Sequence, residues 1–409
     1  MTIVGTQNLI MRIFYASDTT PNPAFQSDLW RNNLYQPLVD LGHEVVEFQY
    51  DLRKTFQNLN LQDPKQKAFI DKNRPRVTKE LLRQIKTAHA KKPIDLFFSY
   101  FYDACVLPEA IEEIKAMGIK TVNWYCNGSY QLHLVSEIAP HYDWCLVPEK
   151  FRIKDYVAMD ARPIYCQEAA NPNIYKPRDL PVEFDVTFVG QAYGERPAYI
   201  KYLLDQGVDV RVWGWGWQNF SPEAVAVAVA ANNSLMRRAA NIGKALLTPA
   251  GWQAVGRRLT NLVAAPFEKT GKGCSERVTL PASMVGGILS DEEMIRMYSR
   301  SRINIGFSSC GNTHETGERI AQVRLRDFEV PMSGGFYMVE YMEELEEFFD
   351  IGKEIVCYTD KDDLVDKIKY YLKHDDERES IRKAGYERCL RDHTWHKRFK
   401  TVFHEMGLI

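Results

Sequence analysis

Several absences narrow what this 409-residue chain can be. Its eight cysteines (105, 126, 145, 166, 274, 310, 357 and 389) include no C-x-x-C pair, which argues against a disulfide frame or a zinc knuckle and for reduced thiols in the cytoplasm. No stretch reads as a signal peptide, and the longest run of small apolar residues, 224–231, is far too short to cross a bilayer. There is no charge excess either: 52 Lys and Arg stand against 54 Asp and Glu, so a general nucleic-acid binder is not expected. Hydrophobic content of 45% and charged content of 26% fit a globular protein, and the length suggests two or three domains.

What the chain does have is alternation. Strand-like runs at 12–16, 44–50, 94–100, 120–125, 143–147 and 163–166 are separated by helical patterns at 29–41, 62–92 and 108–117. Residues 1–10 read as an extension ahead of this fold. Residues 169–181, with Pro172, Pro177 and Pro181, form a linker. Alternation then restarts with strands at 185–189, 208–213, 303–307, 336–339 and 354–358, helices at 196–206 and 291–301, and helical segments at 362–374 and 377–406. Strands alternating with helices mean βαβ units and parallel sheets. The expected fold is α/β, with two doubly wound Rossmann-like domains facing a cleft: 1–173, then 174–392, with 393–409 as a helix crossing back.

One region breaks the rhythm. Residues 221–280 are Ala-rich, with eight Lys and Arg against three acids between 221 and 278. This basic helical insert, with Leu246, Leu247, Trp252 and Leu262, packs on its own domain or touches an anionic membrane surface at the inner face.

The most informative stretch is 322–349. Arg326 and Glu329 lie three apart, on one face of a helical turn that a Ser-Gly-Gly sequence stops. A cation and a carboxylate at such an edge suit a nucleoside diphosphate: the carboxylate accepts from ribose hydroxyls, and the guanidinium and free N–H groups take phosphates. A plain ion pair that orients the helix is the competing reading.

The chain resembles the CgeB-like, spore-maturation-type glycosyltransferases, a family with GT-B architecture. The resemblance rests on D-V-T-F-V-G (185–190) with Arg196, V-W-G-W-G-W (212–217), 289–301 ahead of 303–307, R-D-F-E-V-P (326–331) with Gly335, G-K-E-I-V (352–356) and H-T-W-H-K-R (393–398). The first half matches more weakly, through 95–100, 118–124 and 143–147. The resemblance implies transfer of a sugar from a UDP-, GDP- or dTDP-sugar to a glycan, lipid-linked or protein acceptor, with the donor in the second domain, no metal, and no cofactor beyond the donor itself. It implies that Glu329 binds the ribose, that Arg324 and Arg326 stand near the diphosphate, that Gly190 and Gly335 let backbone approach, and that Arg196 adds a cation. Many enzymes of the wider class carry a second glutamate eight positions earlier; here that position is Ala321, with Glu318 and Gln322 nearby. The polar loop 310–318, with His314, is the expected donor-side flap.

On the acceptor side, Asp18 after the first strand is the expected base, with Asn127, where the family often has aspartate, and His133 as further candidates. Asn127 orients but takes no proton. Asp360-Lys361-Asp362 spells D-x-D but opens a helix, where Asp serves as a cap. His393 and His396 lack a third ligand and are read as packing the last helix. Trp213 reads as core, and Trp215 and Trp217 as loop residues. A non-catalytic sugar or nucleotide binder, favoured by Ala321 and Asn127, and an epimerase of the same architecture are the rival readings.

Overall fold

The computed structural model describes residues 10–18, 27–55, 59–222, 278–316 and 318–409. Residues 1–9 and the basic insert from 223 to 277 lie outside them.

Six strands make the first sheet: β1 (Arg12–Ala16), β2 (Glu44–Glu47), β3 (Leu96–Ser99), β4 (Lys120–Trp124), β5 (Trp144–Val147) and β6 (Pro163–Tyr165). All neighbours are parallel, in the order β2-β1-β3-β4-β5-β6. The second sheet holds β7 (Phe184–Val189), β8 (Val210–Trp213), β9 (Ser301–Gly306), β10 (Tyr337–Glu340) and β11 (Val356–Tyr358). It is also parallel, ordered β11-β10-β9-β7-β8. Each sheet is wound outward in both directions from an inner pair, β1/β3 and β7/β9. In such sheets ligands bind beyond the carboxyl ends of the strands where the winding reverses.

Helices cover the sheets. A π-helical turn (Arg31–Tyr35) leads into α1 (Gln36–Asp40); α2 (Pro64–Lys91), α3 (Pro108–Ala116), the short α4 (Gly128–Gln131) and α5 (Ile153–Ala158) complete the first lobe. The second carries α6 (Arg196–Asp205), α7 (Asp291–Arg300), α8 (Leu325–Met332), α9 (Lys361–Tyr371) and α10 (Asp375–Asp392), and the chain ends in α11 (Trp395–Glu405). Their starts follow local chemistry. Asp63 accepts from the Lys65 and Gln66 amides ahead of Pro64, and Ser290 and Glu293 close a capping box on α7. Thr394 caps α11, which is why the helical pattern over 377–406 is two helices broken at His393-Thr394.

The chain crosses between lobes twice. The proline-bearing linker leaves β6, and its Ala170 exchanges backbone bonds with His393 and Trp395 on the return (3.2 and 3.3 Å). Trp395, Phe399 and Phe403 of α11 then pack in the core of the first lobe, with Trp395 against Trp124 and Phe399 against Phe98 at ring separations of 5.5 and 5.6 Å.

Candidate functional site

Three arginines converge at the β7/β9 switch point. Arg196 opens α6; Arg324 and Arg326 sit at the start of α8. The Nε of each is buried without a hydrogen-bond partner. Arg196 is itself buried, its guanidinium 3.8 Å above the Tyr193 ring, with one Nη donating to the Gln191 carbonyl at 3.0 Å. Burial, together with the charges of Arg324 and Arg326, pulls Arg196 down to about 9. A guanidinium stays protonated, so this is a buried cation held at a cost. Tyr193 acts electrostatically on all three arginines. Arg324 donates to the carbonyls of Ser308 and Ser309 in the loop after β9.

That loop is held from behind. Ser308 and Ser309 amides donate to Glu340 Oε2 at 3.1 and 3.2 Å, and Arg319 pairs with Glu340 and with Glu195. Ser309 bridges Ala321, so the loop folds back on itself. It also meets the other lobe: Ser129 Oγ lies 3.6 Å from Cys310 Sγ.

Glu329 is 2% exposed, on the same helix as Arg324 and Arg326. Burial pushes its carboxyl up to about 7, against the pull of Arg326, Tyr175 and Asn33. Asn33, from the first lobe, is 3.5 Å from Glu329 Oε1. Two residues earlier on α8, Asp327 is a structural acid: it accepts from the Arg324 amide (2.8 Å) and the Tyr337 hydroxyl (2.7 Å).

The two glycines have packing reasons of their own. A Cβ at Gly190 would stand 2.6 Å from the Phe188 ring, and one at Gly335 would meet Asn304 and Val330 at 2.8 Å. Gly190 borders the arginine site; Gly335 lies at the opposite end of α8. Asp18 is half-buried after β1, where its charge reaches Arg53 and the buried Cys105. Asn127 is half-buried at the start of α4, and His133 is exposed on the turn Leu132–Leu134.

Trp217 corrects an expectation. It is fully buried rather than a loop residue, and its indole N–H donates to the Gly190 carbonyl at 2.7 Å. Trp215 is exposed. Asp360 caps α9, accepting from the Asp362 and Asp363 amides. His393 is buried among Phe328, Phe348 and Phe349, bonded to the Phe348 carbonyl at 2.7 Å; burial lowers its pKa to about 4. His396 faces Asp40. Among the described residues no cluster of three or more metal-ligating side chains occurs, the seven cysteines are buried and unpaired, and no helix is long and apolar enough to cross a membrane.

Two buried carboxylates had no signal in the sequence reading. Glu149 and Glu168 follow β5 and β6 by two and three residues, at 3% and 6% exposure. Their positions at carboxyl strand ends could have flagged them.

Two facing parallel sheets with this strand order define the GT-B fold. Residues 253–404 match the family described as glycosyl transferase-like. No curated protein matches the chain in sequence. Solved structures share the fold, with nearly all of the chain covered. Sucrose-phosphate synthase from Thermosynechococcus elongatus is 12% identical, with 97% of this chain and 99% of that one covered and a TM-score of 0.56. HepE from Anabaena, solved in complex with UDP-glucose, is 11% identical, covering 98% and 100%, at 0.53. A glycosyltransferase from Rickettsia africae is 11% identical, covering 97% and 98%, at 0.52.

Proposed function

We propose that the protein is a CgeB-like glycosyltransferase that moves a sugar, of hexose type, from a UDP-, GDP- or dTDP-sugar to a glycan, lipid-linked or protein acceptor in the cytoplasm. The observation that carries this reading is the arginine trio at the β7/β9 switch point, three cations within each other's field with three orphaned donors. A diphosphate supplies both the negative charge and the acceptor oxygens that such a site calls for. As the bond between anomeric carbon and phosphate oxygen breaks, negative charge grows on the leaving diphosphate. The same arginines then stabilise it, and a preorganised donor of this kind contributes about 3–4 kcal/mol. They carry the charge a divalent ion would otherwise bring, so transfer is metal-independent. Glu329, one turn along α8, receives the ribose hydroxyls, and Asn33 and Tyr175 orient its carboxylate.

The test is release of nucleoside diphosphate from a panel of nucleotide sugars. Release from at least one donor supports the transferase. Tight nucleotide binding with no release from any donor favours a non-catalytic binder, to which the missing carboxylate at Ala321 points.

A further inference from the structure

Asn33 is a polar residue of the first lobe that the donor reading uses only in part. It sits on the π-helical turn Arg31–Tyr35, is fully buried, and its Oδ1 has no hydrogen-bond partner. Its Nδ2 is engaged: it donates to the Leu29 carbonyl and to the Tyr175 hydroxyl, each at 3.1 Å, and stands 3.5 Å from Glu329 Oε1. Turning the carboxamide round would set an acceptor against the Leu29 carbonyl and the Glu329 carboxylate, so its orientation is fixed and Oδ1 stays without a donor. A buried acceptor kept for structure alone is normally paired.

The turn that carries Asn33 is seated on the second lobe. The Asp28 amide and Asn32 Nδ2 both donate to Asp291 Oδ2, at 2.9 and 3.0 Å, at the start of α7. From the linker, Asn171 Nδ2 donates to the Asn32 carbonyl at 2.8 Å. Tyr175, also in the linker and fully buried, bonds Glu329 as well as Asn33. These contacts hold the Asn33 carboxamide against Glu329, so that two acceptors from opposite lobes stand together: the Glu329 carboxylate and Asn33 Oδ1.

What such a pair lacks is two donors on neighbouring atoms. Each hydroxyl carries one donor hydrogen, so a vicinal diol gives one to each lobe. Resting on the donor reading, in which Glu329 receives the ribose, we propose that Asn33 is a second ribose-binding residue, contributed by the first lobe. Its Oδ1 accepts from one ribose hydroxyl while Glu329 accepts from the other. The nucleotide then bridges the cleft, and the donor class narrows to ribonucleotide sugars, those of UDP or GDP rather than dTDP, whose sugar ring lacks the 2′-hydroxyl.

Full-length protein is titrated with UDP, GDP and dTDP by calorimetry, and the ribonucleotide that binds is compared with its 2′-deoxy and 3′-deoxy forms. Wild type is expected to prefer the parent to each deoxy form at least about tenfold. Asn33→Leu is expected to bind the parent about tenfold more weakly, and its preference over one of the two deoxy forms should shrink to within about threefold. Asn33→Ala, run beside it, gives the same readout if leucine does not fit the site. A purely structural role would weaken parent and deoxy forms alike; that result, or unchanged affinity in both variants, overturns the proposal. So does wild-type protein that binds dTDP or the deoxy forms at least as tightly as the ribonucleotides. Wild-type protein that binds none of the three nucleotides overturns the donor reading itself.

Discussion

Asn33 and Glu329 meet across the cleft, with Asn33 Nδ2 3.5 Å from Glu329 Oε1. That is long for a hydrogen bond. Asn33 is better placed toward the Tyr175 hydroxyl, at 3.1 Å. Glu329 is thus a buried carboxylate with weak partners, suited to stronger donors such as two ribose hydroxyls. Glu329→Ala is expected to weaken nucleoside diphosphate binding at least about tenfold, the loss of one charge-assisted hydrogen bond. Equal affinity in calorimetry rejects the ribose assignment.

The arginine trio makes the opposite demand on stability and on binding. Arg196 is buried among aromatic rings, beside two like charges. Replacing a buried, unpaired charge by an apolar chain of similar length is neutral or stabilising. Arg196→Met is therefore expected to hold or raise the melting temperature of the free protein while cutting nucleoside diphosphate affinity by about tenfold or more. A variant that melts lower and binds normally would show Arg196 to be scaffold.

Much of this was legible in the chain. The run R-I-F-Y-A at 12–16 and the D-V-T-F-V run at 185–189 are buried strands at their expected places. Parallel strands buried on both faces are apolar runs, which are hard to mistake. The spacing of Arg326 and Glu329 correctly put both on one short helix. Trp217 was misread because V-W-G-W-G-W looks like an exposed glycine turn, yet the chain folds back and buries that ring against Phe188. Glu149 and Glu168 stand just past the ends of β5 and β6, a position that points to the cleft but does not by itself separate a buried acid from an exposed one. Their burial comes from the rest of the fold, which sequence neighbours do not report.

Glu149 also carries a pH signature. Its carboxyl titrates near 7 in the folded protein, against about 4.3 in an unfolded chain. The folded state therefore binds the proton more tightly. The stabilisation is fully present below the unfolded value and is lost as pH rises through 7, by up to about 4 kcal/mol. Glu149→Gln removes the cost of burying that charge. Its melting temperature relative to wild type should climb between pH 5 and pH 8, and a constant gap would contradict the burial argument. Asp327, raised by burial to about 6, shifts wild-type stability in the same direction and remains in the variant.

The D-x-D tripeptide offers a last discriminating variant. Asp360 Oδ1 accepts from the amides of Asp362 and Asp363 at 2.8 and 2.9 Å, and the Tyr202 hydroxyl donates to the Asp362 side chain. Both acids are occupied within the fold, at the start of α9, where negative charge also favours the helix dipole. Asp360→Ala is expected to cost about 1 kcal/mol of stability, as for loss of an N-cap. Donor hydrolysis should be unchanged, and neither variant nor wild type should respond to a chelator. A melting temperature that rises with manganese in the wild type but not in Asp360→Ala would instead make this tripeptide a metal site and would end the metal-independent reading.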